Sequence, residues 1–227
     1  MQYSEIHKWD VSPKEAVEIQ KRLSDKIVLC PLSGDVNYIA GADISYVKNS
    51  DRLYASVLIF EYPSLDLIET GSTVSEPAFP YIPGLLSFRE IPPLLDCFKK
   101  IEIKPNLIIC DGQGYAHPRR FGLACHLGLI LNIPTIGCAK SRLTGHGDDP
   151  GKRKGSYTVL TDKNEKIGYI LRTKNNVKPV YVSSGYLIDL EDAVRYILGC
   201  CRGYKLPEPT RRAHLEVNKL RINDKTA

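Results

Sequence analysis

Apolar residues first fall into a helical rhythm at Ala16, Val17, Ile19 and Leu23. Ser12-Pro13-Lys14-Glu15 precedes them as a capping box with proline at the first helical position, which predicts a helix ending before Pro31. Three strand-like runs follow at 38–46, 53–62 and 66–74, with Asp51 and Pro63-Ser64 as turn residues between them. Such a succession predicts an antiparallel meander. Residues 85–101 read as helical, with a break or restart at Pro92-Pro93. Residues 106–110 form a short, wholly apolar run, expected as a strand buried on both faces. A glycine-rich turn, a helix over 120–131 and a second short buried strand over 135–138 come next. Residues 144–154 read as a polar, flexible loop. Later strands are expected at 157–160, 166–172 and 180–183. Helices over 187–200 and 210–220, joined by a proline-rich linker, complete the pattern.

A meander followed by strand–helix alternation argues for an α/β fold with a mixed sheet flanked by helices on both faces. Short buried strands that end in polar, glycine-rich turns put a site at their carboxyl ends. A length of 227 residues suits a single domain covering 1–227. The composition, 43% hydrophobic and 25% charged, is that of a soluble globular protein. No run reaches the roughly 18 apolar residues of a membrane span, and residues 1–10 lack the apolar core of a secretory signal. A cytoplasmic location is the resulting expectation. Seven cysteines without a C-x-x-C pair argue against structural zinc or a disulfide framework and for reduced thiols. The net charge of +5 resides in the C-terminal segment, where residues 195–227 carry eight Lys or Arg against three Asp or Glu. A polyanionic partner fits that distribution.

Candidate chemistry is spread along the chain. Asp43 lies mid-strand, alternating with Ala42 and Ile44, where a carboxylate is costly unless it is paired or binds a metal. Asp111 closes an apolar strand and opens the turn Gly112-Gln113-Gly114, and Asp-Gly is also simply good turn chemistry. Glu90 ends the stretch Phe79-Pro80-Tyr81-Ile82-Pro83-Gly84-Leu85-Leu86-Ser87-Phe88-Arg89-Glu90, a stiff aromatic loop running into a helix. One carboxylate mid-strand, one at a helix start and one at a strand end can converge on one point. Oxygen ligands without a His/Cys cluster select Mg²⁺, with Mn²⁺ as a substitute, and suit phosphodiester hydrolysis. Lys140, after the strand over 135–138, is placed to stabilise a phosphorane or polarise water. Helical spacing puts Arg211 and His214 on one side as a phosphate-contacting surface. His117, before Pro118, reads either as a loop anchor or as a phosphate contact.

Five of these stretches, in this order, resemble the endonuclease V family, the deoxyinosine 3′ endonucleases: Gly41-Ala42-Asp43, the run from Phe79 to Glu90, Asp111 to His117, Ile133 to Ser141, and Pro207 to His214. The resemblance implies a ribonuclease H-like fold. It also implies Mg²⁺-dependent cleavage of the second phosphodiester bond 3′ to deoxyinosine, leaving 3′-hydroxyl and 5′-phosphate ends, in repair of deaminated adenine. Asp43 and Asp111 then look like the metal-binding carboxylates, and Glu90 like a third acid acting through water on the metal. Lys140 and His214 match positions important for catalysis, and Tyr81 matches the wedge of the Pro-Tyr-Ile-Pro-Gly loop that includes Pro83. Taking a base out of the stack costs roughly a few kcal/mol, and an aromatic wedge returns about 1–3 kcal/mol by stacking. Gly84, Gly112, Gly114 and Gly137 would let backbone groups approach the base edge, with Leu86 and Leu143 as apolar walls that exclude guanine's amine. The expected partner is deoxyinosine-containing DNA bound by a monomer. Inosine in single-stranded RNA is an open alternative, as is a non-catalytic nucleic-acid-binding domain. A serine hydrolase built on Ser184 lacks the Gly-x-Ser-x-Gly elbow.

Overall fold

The computed structural model describes residues 1, 3–46 and 52–225, so the turn assigned to Asp51 lies outside the described residues. Helix α1 (Pro13–Ser24) starts at the capping box: the Ser12 hydroxyl accepts from the Glu15 N–H, and the Glu15 carboxylate accepts from the Ser12 N–H at 2.8 Å. Its buried stripe is Ala16, Gln20 and Leu23.

The meander forms as expected, with β1 (Tyr38–Tyr46), β2 (Leu53–Glu61) and β3 (Leu67–Ser75) pairing antiparallel. After helix α2 (Leu86–Lys99) come β4 (Leu107–Cys110), α3 (Leu123–Leu131) and β5 (Thr135–Ala139). Strands β6 (Tyr157–Asp162), β7 (Glu165–Leu171) and β8 (Val180–Tyr186) precede helices α4 (Leu190–Gly199) and α5 (Glu208–Lys225). All eight strands join one sheet in the order β3-β2-β1-β4-β5-β8-β7-β6. Strands β1, β4 and β5 are mutually parallel, and the other pairings are antiparallel. Residues β4 buries on both faces divide between two cores. Ile108 and Cys110 pack with Ala40, Ala42 and the apolar faces of α2 and α3, while Leu107 and Ile109 pack with Ile39, Phe60 and residues of α4 and α5.

Helix α2 corrects one expectation. It runs unbroken through Pro92 and Pro93, although each proline removes a backbone donor. Ile91, Leu94, Leu95 and Phe98 flank the prolines on the face against the sheet and are at most 1% exposed, so packing holds both halves of the helix on one axis. The 144–154 loop is also less free than its polarity suggested. His146 exchanges two 2.8 Å backbone bonds with Thr161, and the buried Arg172 donates to the carbonyls of Pro150 and Gly151. All seven cysteines are free thiols.

Register is what this fold contributes to chemistry. Strands β1 and β4 align Ala42 with Cys110, and β4 and β5 align Cys110 with Gly137. One residue further, the parallel register sets Asp43 alongside Asp111, and Lys140 follows directly after β5 at the same edge. Replacing Phe98 by alanine would test whether packing carries α2 past its prolines. A loss of about 3–5 kcal/mol in urea unfolding free energy is expected, as for a large aromatic cut from a close-packed core.

Candidate active site

Asp43, 8% exposed, accepts a 2.8 Å hydrogen bond from Nδ1 of His214 on α5. That bond fixes the imidazole tautomer and leaves Nε2 directed away from Asp43. Asp111 is equally shielded and is paired with the ammonium of Lys140. Ligand atoms of Asp43, Asp111 and His214 lie within 4.8 Å of one another, a donor set able to hold a cation among the described residues. Glu90, on the second turn of α2, faces the same space. Burial pushes its carboxyl up to about 8, and the charges of Asp43 and Asp111 add to the rise. Burial also raises Asp111, with Asp43 adding and Lys140 opposing. The site is therefore short of positive charge, which is the electrostatic condition for cation binding.

These groups line one end of a cavity of about 520 Å³. Tyr81, Pro83, Gly84, Leu86, Gly112, His117 and Leu143 also line it. Tyr81 is 55% exposed at the rim, with its ring 6.1 Å from that of Tyr46. Two of the expected glycines lie elsewhere. Gly114 and Gly137 are packed backbone to backbone beneath the cavity, where a Cβ on Gly137 would come within 2.3 Å of the Gly114 nitrogen. Arg211 does not join His214 at the cavity: both of its guanidinium bonds go to Glu208, and it covers the Tyr204 ring at 4.2 Å.

His117 is a loop anchor. Its ring, 3% exposed, donates from Nε2 to the Gly84 carbonyl at 3.0 Å and accepts the Arg119 N–H at Nδ1. Burial, with Arg119 adding, lowers its pKa to about 4 and keeps it neutral. The same Gly84 carbonyl accepts from Arg119 Nη2 at 2.7 Å and from Gln20 Nε2 at 3.1 Å. Arg119 Nε in turn donates to Gln20 Oε1. Gly84 itself has φ +79°, the left-handed region, so the tip carrying Tyr81 turns on a residue without a side chain and is fastened by three donors. Arg120 pulls the other way, to Asp162 at 2.9 Å and Glu165 at 2.6 Å on the β6–β7 hairpin. Sequence reasoning missed Gln20, Arg119 and Arg120. For Gln20 the signal was present: a carboxamide on the apolar stripe of α1, between Ala16 and Leu23, must find buried partners.

A family model for endonuclease V matches residues 21–215. An endonuclease V of Dehalococcoides mccartyi is 45% identical over 215 residues, 95% of this chain and 96% of that protein. The crystal structure of Streptomyces avermitilis endonuclease V superposes with a TM-score of 0.90 at 38% identity, covering 96% of each chain. That of Ciona intestinalis endonuclease V, in complex with a 24mer DNA containing an inosine followed by a ribo-adenosine, gives 0.81 at 27% identity over 92% of this chain and 98% of that one. A mixed sheet with a buried acidic edge is thus the scaffold of a nucleic-acid hydrolase with the expected ribonuclease H-like fold. The chain belongs to the endonuclease V family and is an endonuclease. No helix among the described residues is long and apolar enough to cross a membrane.

The raised Glu90 has a measurable consequence. Its ordinary value is 4.5, so between that and about 8 the folded protein holds a proton that the unfolded chain releases. Stability then falls as pH rises through the window. His117, lowered to about 4, acts oppositely but only below its ordinary 6.5. In EDTA, the melting temperature should drop between roughly pH 6.5 and 8. Glu90→Gln should flatten that decline, and an unchanged slope in this variant would contradict the assignment.

Proposed function

We propose that this chain, acting as a single domain and a monomer, is a Mg²⁺-dependent repair endonuclease for deoxyinosine. It hydrolyses the second phosphodiester bond 3′ to the lesion and leaves 3′-hydroxyl and 5′-phosphate ends. The observation that carries this reading is the juxtaposition of Asp43 and Asp111 with Lys140 and His214 beside a cavity rimmed by Tyr81. The inosine-containing DNA bound by the Ciona intestinalis relative supports the choice of base.

Asp43 and Asp111 would hold the cation; their ligand atoms lie within 4.8 Å of each other and of His214, and burial with the Asp43 charge beside it raises the Asp111 carboxyl. A bound Mg²⁺ would activate water and offset charge developing on the phosphate. Lys140 contributes a second positive charge at the same phosphate. His214, with Nδ1 fixed by Asp43, is free to hold or pass a proton at Nε2 to the departing 3′ oxygen. Glu90 holds a proton beside Asp43 and Asp111 alone; a cation between them would favour its ionised form, which could then take a proton from the attacking water. Tyr81, on its fastened tip, fills the space that an extruded base leaves, and Leu86 and Leu143 close the cavity around hypoxanthine.

Inosine in single-stranded RNA is a second substrate worth testing, because the Ciona intestinalis complex carries a ribonucleotide directly after the inosine. Relative rates on matched DNA and RNA strands decide between them.

A strand-labelled duplex with one deoxyinosine should be nicked at the second 3′ linkage in Mg²⁺ and left intact in EDTA. Asp43→Asn and Asp111→Asn should each cut that rate at least roughly 100-fold. Full activity in Asp111→Asn would remove the metal assignment. Tyr81→Ala should slow cleavage of paired inosine while sparing unpaired inosine, and Gln20→Leu should do the same more mildly by loosening Gly84. Equal losses on both substrates would sink the wedge role.

A further inference from the structure

The edge of the sheet that holds the carboxylates does not end at Lys140. Strand β8 runs antiparallel to β5 and pairs Tyr181 with Ala139, so the segment entering β8 arrives at the same edge one strand further on. Lys178 lies on that segment and is exposed. Above β5, the linker between α4 and α5 brings Lys205 Nζ within 3.5 Å of the Lys140 carbonyl. Arg142, exposed, lines the cavity two residues past Lys140.

From β1 outward, the edge therefore passes from Asp43 and Asp111 to Lys140, Lys205 and Lys178. The ion pairs of the described residues engage Lys140 with Asp111, yet leave Lys178, Lys205 and Arg142 without a carboxylate at contact distance. Lys205 is half-buried, and burial lowers its pKa, with repulsion from Lys178 and Lys140 adding. A chain that gathers mutually repelling cations beside a carboxylate site without neutralising them leaves that charge for a ligand. Neighbouring strands are about 4.8 Å apart, so the ends of β5 and β8, where Lys140 and Lys178 lie, set cations side by side along the edge and form a row rather than a pocket for a single small anion.

We propose that Lys205 and Lys178, with Arg142 at its cavity end, form a phosphate-binding track that carries the substrate strand away from Asp111 across the ends of β5 and β8. The track rests on the nuclease reading of the site and gives that reading a direction: the strand leaves the cavity toward β8, on the side away from the β1–β2–β3 meander. It contacts phosphates and carries no base preference.

The test uses Lys178→Gln, Lys205→Gln and the double variant, each checked for an unchanged melting temperature. Binding to a single-stranded deoxyinosine oligonucleotide is followed by fluorescence anisotropy in EDTA from 50 to 300 mM KCl. Each phosphate contact on a single strand contributes about 0.7 to the slope of log K against log salt, so the double variant should lose about 1.4 in slope and bind roughly tenfold more weakly. Its single-turnover cleavage rate at saturating oligonucleotide in Mg²⁺ should stay within about twofold of wild type, because both lysines act outside the reacting atoms. Neutral methylphosphonates on one side of the inosine should erase the difference between wild type and double variant, and those on the other side should not. An unchanged slope in a folded double variant, or methylphosphonates that act equally on both sides, would overturn the track. If wild type fails to nick inosine strands, the nuclease reading falls while the salt slope still decides the track.

Discussion

Repulsion between carboxylates at one buried edge is the constraint around which this molecule is organised. The parallel register of β1 and β4 makes Asp43 and Asp111 neighbours, and α2 adds Glu90 across the same space. Folding would not choose such a cluster: each carboxyl sits in poor solvent and faces others of the same sign. The chain offsets part of it locally. Lys140 answers Asp111, and His214 answers Asp43. Glu90 receives only a minor offset from the neighbouring Arg89 and retains its proton near neutrality. The remaining imbalance would favour taking up a cation, so what the clustered carboxylates cost the fold would reappear as affinity.

Rigidity is distributed to match. The carboxylates stand on strands locked into a sheet of eight, whereas the aromatic rim stands on a loop. That loop is given stiffness by concentrating donors from Gln20, His117 and Arg119 on the single carbonyl of Gly84. A carbonyl has two lone pairs, and three donors on it leave little freedom for the peptide to rotate. The tip can thus be half exposed and still hold a defined position relative to Asp43, a property the proposed wedge would need.

Much of this was legible in the sequence because it depends on local pattern. The meander, the capping box at Ser12 and the short buried strands are written in periodicity and turn residues, and they recur in the structure within a residue or two. The cavity gathers most of the expected residues because the strands, helices and loops that carry them meet at one edge of the sheet. What stayed hidden was long-range. Nothing near Pro92-Pro93 says that a helix survives two prolines, since the compensation lies in the faces of other strands. Gly137 is required by the backbone of Gly112 to Gly114, and Gly114 by the backbone of Ser184 on β8, contacts between segments that only the sheet pairings bring together. Gln20 signalled burial through its place on an apolar stripe but could not name Gly84, which is 64 residues away.

The adjacent arginines after His117 bear on how this protein can vary. Arg120 adopts φ +55°, a conformation few side chains favour, and it is this twist that sends its guanidinium to the β6–β7 hairpin while Arg119 reaches back to Gln20. Each position uses the forked geometry that lysine lacks. Between them the two residues tie three distant segments together: Arg119 holds α1 and the Gly84 turn, and Arg120 holds the hairpin, so compensation for losing both would have to arise in several places. Lineages should be free to remodel the hairpin's length or the surface of α1, but the dipeptide that braces them has few neutral neighbours in sequence space.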